Sequence, residues 1–161
     1  MQLFPNLPDS ARVWILPLTS TVTEQAQKQI LRSLEQFVHT WVAHEEPVHG
    51  DAAVLFGRFI VIAADGERTN ISGCSIDSAF RAGREAAAAV GLEVADRGLL
   101  FFKGEKGVEA TAEKKVSAAT LVYQTGLQTL GEVRASFEVP FSDSRRGRII
   151  AREAQSPDSG N

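Results

Sequence analysis

His44, Glu45, Glu46 and His49 sit in one short stretch, AHEEPVHG, and Asp65, Ser72, Cys74, Ser75 and Asp77 in another. The first group supplies imidazoles able to act as bases, and the second supplies a thiol, hydroxyls and carboxylates. SGCSID, residues 72–77, opens an apolar-periodic run, so it reads as a helix entrance. Free backbone N–H groups and the helix dipole there favour a bound anion or a thiolate. Ser72, Gly73, Ser75 and Asp65 are therefore the residues expected to hold a small or anionic ligand without catalysis. A second reading makes Cys74 the nucleophile of a hydrolase or transferase, with His44 or His49 as base and Asp77 or Asp65 orienting it. A third is a purely structural interaction module. Each residue also has a plain explanation: Cys74 as core packing, Ser75 and Asp77 as helix caps, Asp65 and His49 as turn residues. Zinc held by His44, His49 and Cys74 with Asp65 or Asp77 lacks any CxxC or HExxH spacing, so no metal and no cofactor is expected.

The elements that must position these residues follow from hydrophobic periodicity. RVWIL, residues 12–16, is β-branched and aromatic and stops at Pro17, which predicts a strand. Thr21 and Glu24 suggest a capping box ahead of Ile30, Leu34, Phe37 and Trp41, whose spacing predicts an amphipathic helix ending before Pro47. Residues 51–56 and 59–64 flank Gly57 and Arg58 as a hairpin. FIVIAA is apolar at every position, so both its faces should be covered. Ile76, Phe80, Gly83, Ala87 and Val90 predict a second helix, closed by Gly91, with Gly83 allowing close approach to the sheet. LLFFK, residues 99–103, completes a βαββαβ order.

That order predicts an α+β fold: a ferredoxin-like antiparallel sheet with helices on one face over residues 12–103, plus a C-terminal extension. It brings loops 43–50 and 65–75 to one end of the sheet. The uncovered face implies cover from residues 104–150 or from a second copy, hence a homo-oligomer formed through the sheet face. Beyond Gly104, residues 112–116 suggest a short helix, 120–123 a short strand and 137–141 an edge segment containing Pro140. Residues 1–141 are expected to form one domain and 142–161 a polar, flexible tail ending in QSPDSGN. Arg145, Arg146, Arg148 and Arg152 in that tail form a basic cluster of the kind that is usually solvated.

With 161 residues and 43% hydrophobic composition, the chain is long enough for a real core without staples. A net charge of −3 gives no basic excess for a nucleic-acid partner. The N-terminal MQLFPNLP has no signal-peptide pattern, and no apolar run approaches the ~18 residues of a membrane span, so no membrane partner is expected. A single cysteine cannot form an internal disulfide, which fits a cytoplasmic location.

ARVWIL, WVAHEEPVHG, RFIVIAAD and SGCSIDSAF, in that order, resemble a family of short uncharacterised bacterial proteins across roughly residues 7–141. The resemblance is carried most specifically by Trp41, His44, Ser72, Gly73, Cys74, Ser75, Ile76 and Asp77. Members of that family often bear the label of an ABC transporter ATPase. This chain has neither GxxxxGKS nor GxxxxGKT, nor GxGxxG, so it lacks the loop that would cradle nucleotide phosphates. The resemblance implies no activity, cofactor or substrate. Where family members end in an aromatic-rich segment, this chain has SDSRRGRIIAR.

Overall fold

A computed structural model describes residues 1–156, and positions 157–161 of the expected frayed tail lie outside the described residues. The fold is α+β, and the chain divides into two compact units. The first comprises Met1–Arg97 together with Thr125–Ala135, and the second Gly98–Gln124 and the chain from Ser136 onward. Residues 1–141, expected as one domain, contribute to both units, between which the chain passes more than once.

In the first unit, β1 (Arg12–Pro17) leads to α1 (Glu24–Thr40). The helix starts two residues later than the expected Thr21 cap, because the Thr23 hydroxyl accepts from the Ala26 N–H at 3.1 Å. A small hairpin follows, β2 (Val42–Ala43) and β3 (Glu46–Pro47), then β4 (Gly50–Leu55), β5 (Phe59–Ala64) and α2 (Gly73–Ala88). The sheet order is β1-β5-β4, antiparallel throughout, which is the order of a split βαβ core. The β4–β5 turn places Phe56 and Gly57 at φ 54° and 60°, with the Arg58 N–H donating to the Leu55 carbonyl at 3.0 Å. Two consecutive left-handed residues match the twist of the flanking strands. Arg58 is buried and donates to the Leu18 and Thr19 carbonyls at 2.7 and 3.3 Å, and its burial lowers the guanidinium pKa.

Leu16, Ile30, Leu34, Trp41, Ile62 and Ala87 belong to the main core, where both helices meet the sheet. A Cβ on Gly83 would lie 2.5 Å from Leu16 Cδ2, so α2 sits as close to β1 as the glycine in its sequence suggests.

The expected fourth strand leaves this sheet. β6 (Leu100–Gly104) pairs instead with β7 (Gly107–Thr111) and β8 (Leu121–Tyr123), giving the order β7-β6-β8-β9 once β9 (Glu138–Pro140) is added. Two short segments occupy the free edge of β1 instead. Val94 bridges Leu18 at one end, and at the other the Val13 N–H donates to Gln128 while the Leu130 N–H donates to Ala11. With that edge taken, the GEKG turn lets β6 pair locally with β7, a short loop being cheaper in entropy to close than a long one.

β5 is buried along its whole length, and β1 is buried from Val13 to Pro17. This chain's own residues thus withdraw β5 and most of β1 from water, whereas β4 is half-buried everywhere except at Val54. Part of the expected C-terminal cover returns to the first unit: α3 (Leu130–Ser136) brings Leu130 and Val133, both fully buried. Arg134 then clamps the N-terminal segment, donating to the carbonyls of Leu3, Phe4 and Leu7 at 2.7–2.9 Å and to Asp9 at 2.6 Å.

The second unit corrects two further expectations. Residues 112–116 form no helix, since five residues are too few to nucleate one unaided. The supposed flexible tail instead carries α4 (Arg145–Gln155). The buried Ser144 hydroxyl accepts from the Gly147 N–H at 3.0 Å, and Ile150 packs against Leu100, Val122 and Phe141. The extended segment around Pro140 is an edge strand, as its proline requires. Tyr123 faces Glu138 across the β8–β9 pair. Burial first, then a hydrogen bond to Glu138 and that residue's charge, hold the phenol pKa above 10. Among the described residues, no helix is long and apolar enough to cross a membrane.

Candidate functional site

The two loops expected to converge do so, joined by three hydrogen bonds, of which the one from Trp41 is buried. The Asp65 N–H donates to the His49 carbonyl at 2.8 Å, and the Thr69 hydroxyl to the Pro47 carbonyl at 2.8 Å. The Trp41 indole N–H donates to the Ser75 carbonyl at 3.0 Å, tying the end of α1 to the first turn of α2. Trp41 also packs at 5.0 Å on Phe37 and edge-on at 6.0 Å to Trp14, centroid to centroid. Gly50 makes room for this ring: a Cβ there would stand 2.7 Å from the Ala63 carbonyl oxygen and 2.8 Å from Trp41 Cζ3.

Each candidate residue takes a definite place on this frame. Ser72 is the N-cap of α2, and Ser75 completes a reciprocal box: the Ser75 N–H donates to the Ser72 hydroxyl at 3.1 Å, and the Ser72 N–H to the Ser75 hydroxyl at 2.9 Å. The helix thus begins at Gly73, three residues before the first periodic residue, Ile76, and Cys74 lies within its first turn. Cys74 is exposed, so packing does not explain it. Asp77 is exposed too, but one turn too far along the helix to cap it. Asp65 is buried and spends its carboxylate on its own loop, accepting from the Glu67 and Arg68 N–H groups at 3.0 and 3.4 Å, with Arg68 Nε at 3.7 Å. That is the work of a turn residue.

His44 and Glu45 are the two central residues of the β2–β3 turn, at φ 51° and 66°, and their side chains are exposed. His49 is exposed, contributing its backbone carbonyl to the frame. Among the described residues, neither imidazole hydrogen-bonds to Cys74 or to Asp77, and no three of His, Cys, Asp or Glu gather in a way that could hold a metal ion. The arrangement is a buried, fully bonded frame of Trp41, Asp65, Thr69 and Ser75 that carries exposed His44, His49, Cys74 and Asp77 around it.

Sequence reasoning placed Trp41 in a helical apolar stripe and missed its polar role. The signal was present in the tryptophan at the helix end and the glycine nine residues on, at the start of the next full strand, where a ring needs space. Thr69 gave no signal, since a threonine in a polar loop has many uses. Compared with models of protein families, with curated proteins and with solved structures, the chain finds no match.

Proposed function

We propose that the chain is a non-catalytic binding protein that takes a small anion at the first turn of α2. The observation that carries this reading is the state of that turn. Gly73 and Cys74 are exposed, their N–H groups have no acceptor among the described residues, and the turn contains no acidic residue. A helix start of this kind favours negative charge. The buried anchoring of Ser75 by Trp41 supports it further, because a fixed first turn loses little freedom on binding. A cytoplasmic, reducing setting is part of the reading, supported by a lone, exposed and unbridged thiol.

The test is an amide-resolved NMR titration with inorganic phosphate. Saturable shifts confined to Gly73, Cys74 and their neighbours are expected. Shifts no larger than those at Glu24 and Gln25, the first turn of α1 with its own acid, would overturn the reading. A second reading, Cys74 as a nucleophile assisted by His44 or His49, is favoured by the thiol's exposure at a helix start. It predicts thiol modification of the native protein with an apparent pKa well below the ordinary ~8.5 and a loss of rate in the His49→Gln variant. A native thiol titrating near that ordinary value would remove it.

A further inference from the structure

The second unit carries a charged surface unrelated to Cys74. Arg145, Arg148 and Arg152 recur at intervals of three and four residues along α4, which puts them on one helical face about 10 Å long. All three are exposed. Ile149 lies on the same face between them and is 45% exposed, one of few large apolar side chains left in water. The opposite side of the helix is the one that packs, through Gly147 against Phe141 and through Ile150 against the Leu100, Val122 and Phe141 cluster. Arg146 lies off the row and donates to the Gly98 carbonyl at 3.1 Å. The helix has a single acidic residue, Glu153, on the flank of the row. Arg145 and Arg148 do not serve the helix itself, since they stand near its positive end, where cations are disfavoured; Arg152, in the last turn, is the one that the dipole favours.

From this face we infer that α4 rests on an anionic lipid surface, with Arg145, Arg148 and Arg152 against headgroup phosphates and Ile149 entering the layer beneath them. Charge complementarity selects a polyanion, and the isoleucine selects its kind. Against a nucleic-acid backbone an apolar side chain amid the guanidinium groups would meet only charged, hydrated sugar-phosphate. Against a bilayer the same side chain passes below the phosphates into an apolar layer, as interfacial helices do. Resting on a surface in this way is distinct from crossing it, and requires only a short helix already folded on its own unit. The expected attachment is weak and reversible, because a few basic residues and one buried side chain fall short of a stable anchor.

The experiment is co-sedimentation of the full chain with phosphatidylcholine vesicles, with and without 30% phosphatidylserine. Binding should appear with the anionic vesicles alone and weaken as salt is raised. Replacing Arg148→Gln and Arg152→Gln together should lower the partition coefficient about thirtyfold, roughly fivefold per charge. Ile149→Ser should lower it about tenfold while leaving the salt dependence in place. These side chains are exposed, so the variants should fold, and unchanged circular dichroism establishes that each has. Equal binding to both vesicle types, no binding to either, or retention of binding by both variants would overturn the inference. So would Ile149→Ser binding as tightly as the parent while a single-stranded oligonucleotide displaces the chain from vesicles, an outcome that would assign the face to nucleic acid.

Discussion

Gly50 and Gly73 flank the candidate site and differ in what surrounds them. The space that a Cβ would need at Gly50 is taken by the Ala63 carbonyl and the Trp41 ring, whereas nothing lies within 4 Å of the equivalent point at Gly73. Gly50→Ala should therefore destabilise the protein by about 1–3 kcal/mol through overpacking. Gly73→Ala should be neutral or stabilising by up to about 1 kcal/mol, since it removes freedom from the unfolded chain in a helical position. Denaturant midpoints at constant slope would check both. His44 permits a similar contrast. Its left-handed backbone is a conformation that asparagine tolerates better, so His44→Asn should raise stability by roughly 0.5–1 kcal/mol on the same measurement. A fall in stability would mean that the imidazole has a contact beyond its turn. At this scale the sequence was informative about types and poor about roles. AHEEPVHG announced reactive groups, but the turn geometry that exposes His44 depends on the two-residue strands on either side, which no local pattern reveals.

Elements whose residues carry a regular period were legible, and those fixed by distant partners were not. α1 and α2, the hairpin β4–β5 and its order with β1 could be read from apolar spacing and turn residues. β6 was recognised as a strand and assigned to the wrong sheet, because LLFFK specifies a strand but not which edge is vacant. α4 was missed since its apolar stripe is only Ile149 and Ile150, and its start depends on a buried Ser144 cap. The β8–β9 pair yields a pH prediction. Tyr123 keeps its proton in the folded chain beyond the pH at which the unfolded chain loses it, near 10. A folded pKa that is raised contributes stability present below about pH 10 and lost as pH rises above it. Tyr123 is the sole tyrosine, so tyrosinate absorbance should lag behind that of free tyrosine and emerge together with unfolding. Ionisation at the ordinary pH with the fold intact would show that Glu138 and burial do not protect the phenol.

For the molecule as a whole, each unit is made from pieces that are separated in sequence. Residues 1–97 alone would contain β1, α1, β4, β5 and α2, yet would lack the Gln128–Leu130 partner at the edge of β1 and the Arg134 clamp on the N-terminal segment. Such a fragment should show markedly weaker amide protection in β1 than the full chain does, measured by hydrogen exchange. Equal protection would mean that the returning segment is dispensable. The same return sets an order of events during synthesis. When Arg97 leaves the ribosome, most of the first unit is already available to fold, but its last piece, ending at Ala135, follows only after twenty-seven residues of the second unit have emerged. At the usual 5–20 residues per second, the edge of β1 stays open for roughly two to eight seconds in a half-built chain, long enough for a chaperone to find it.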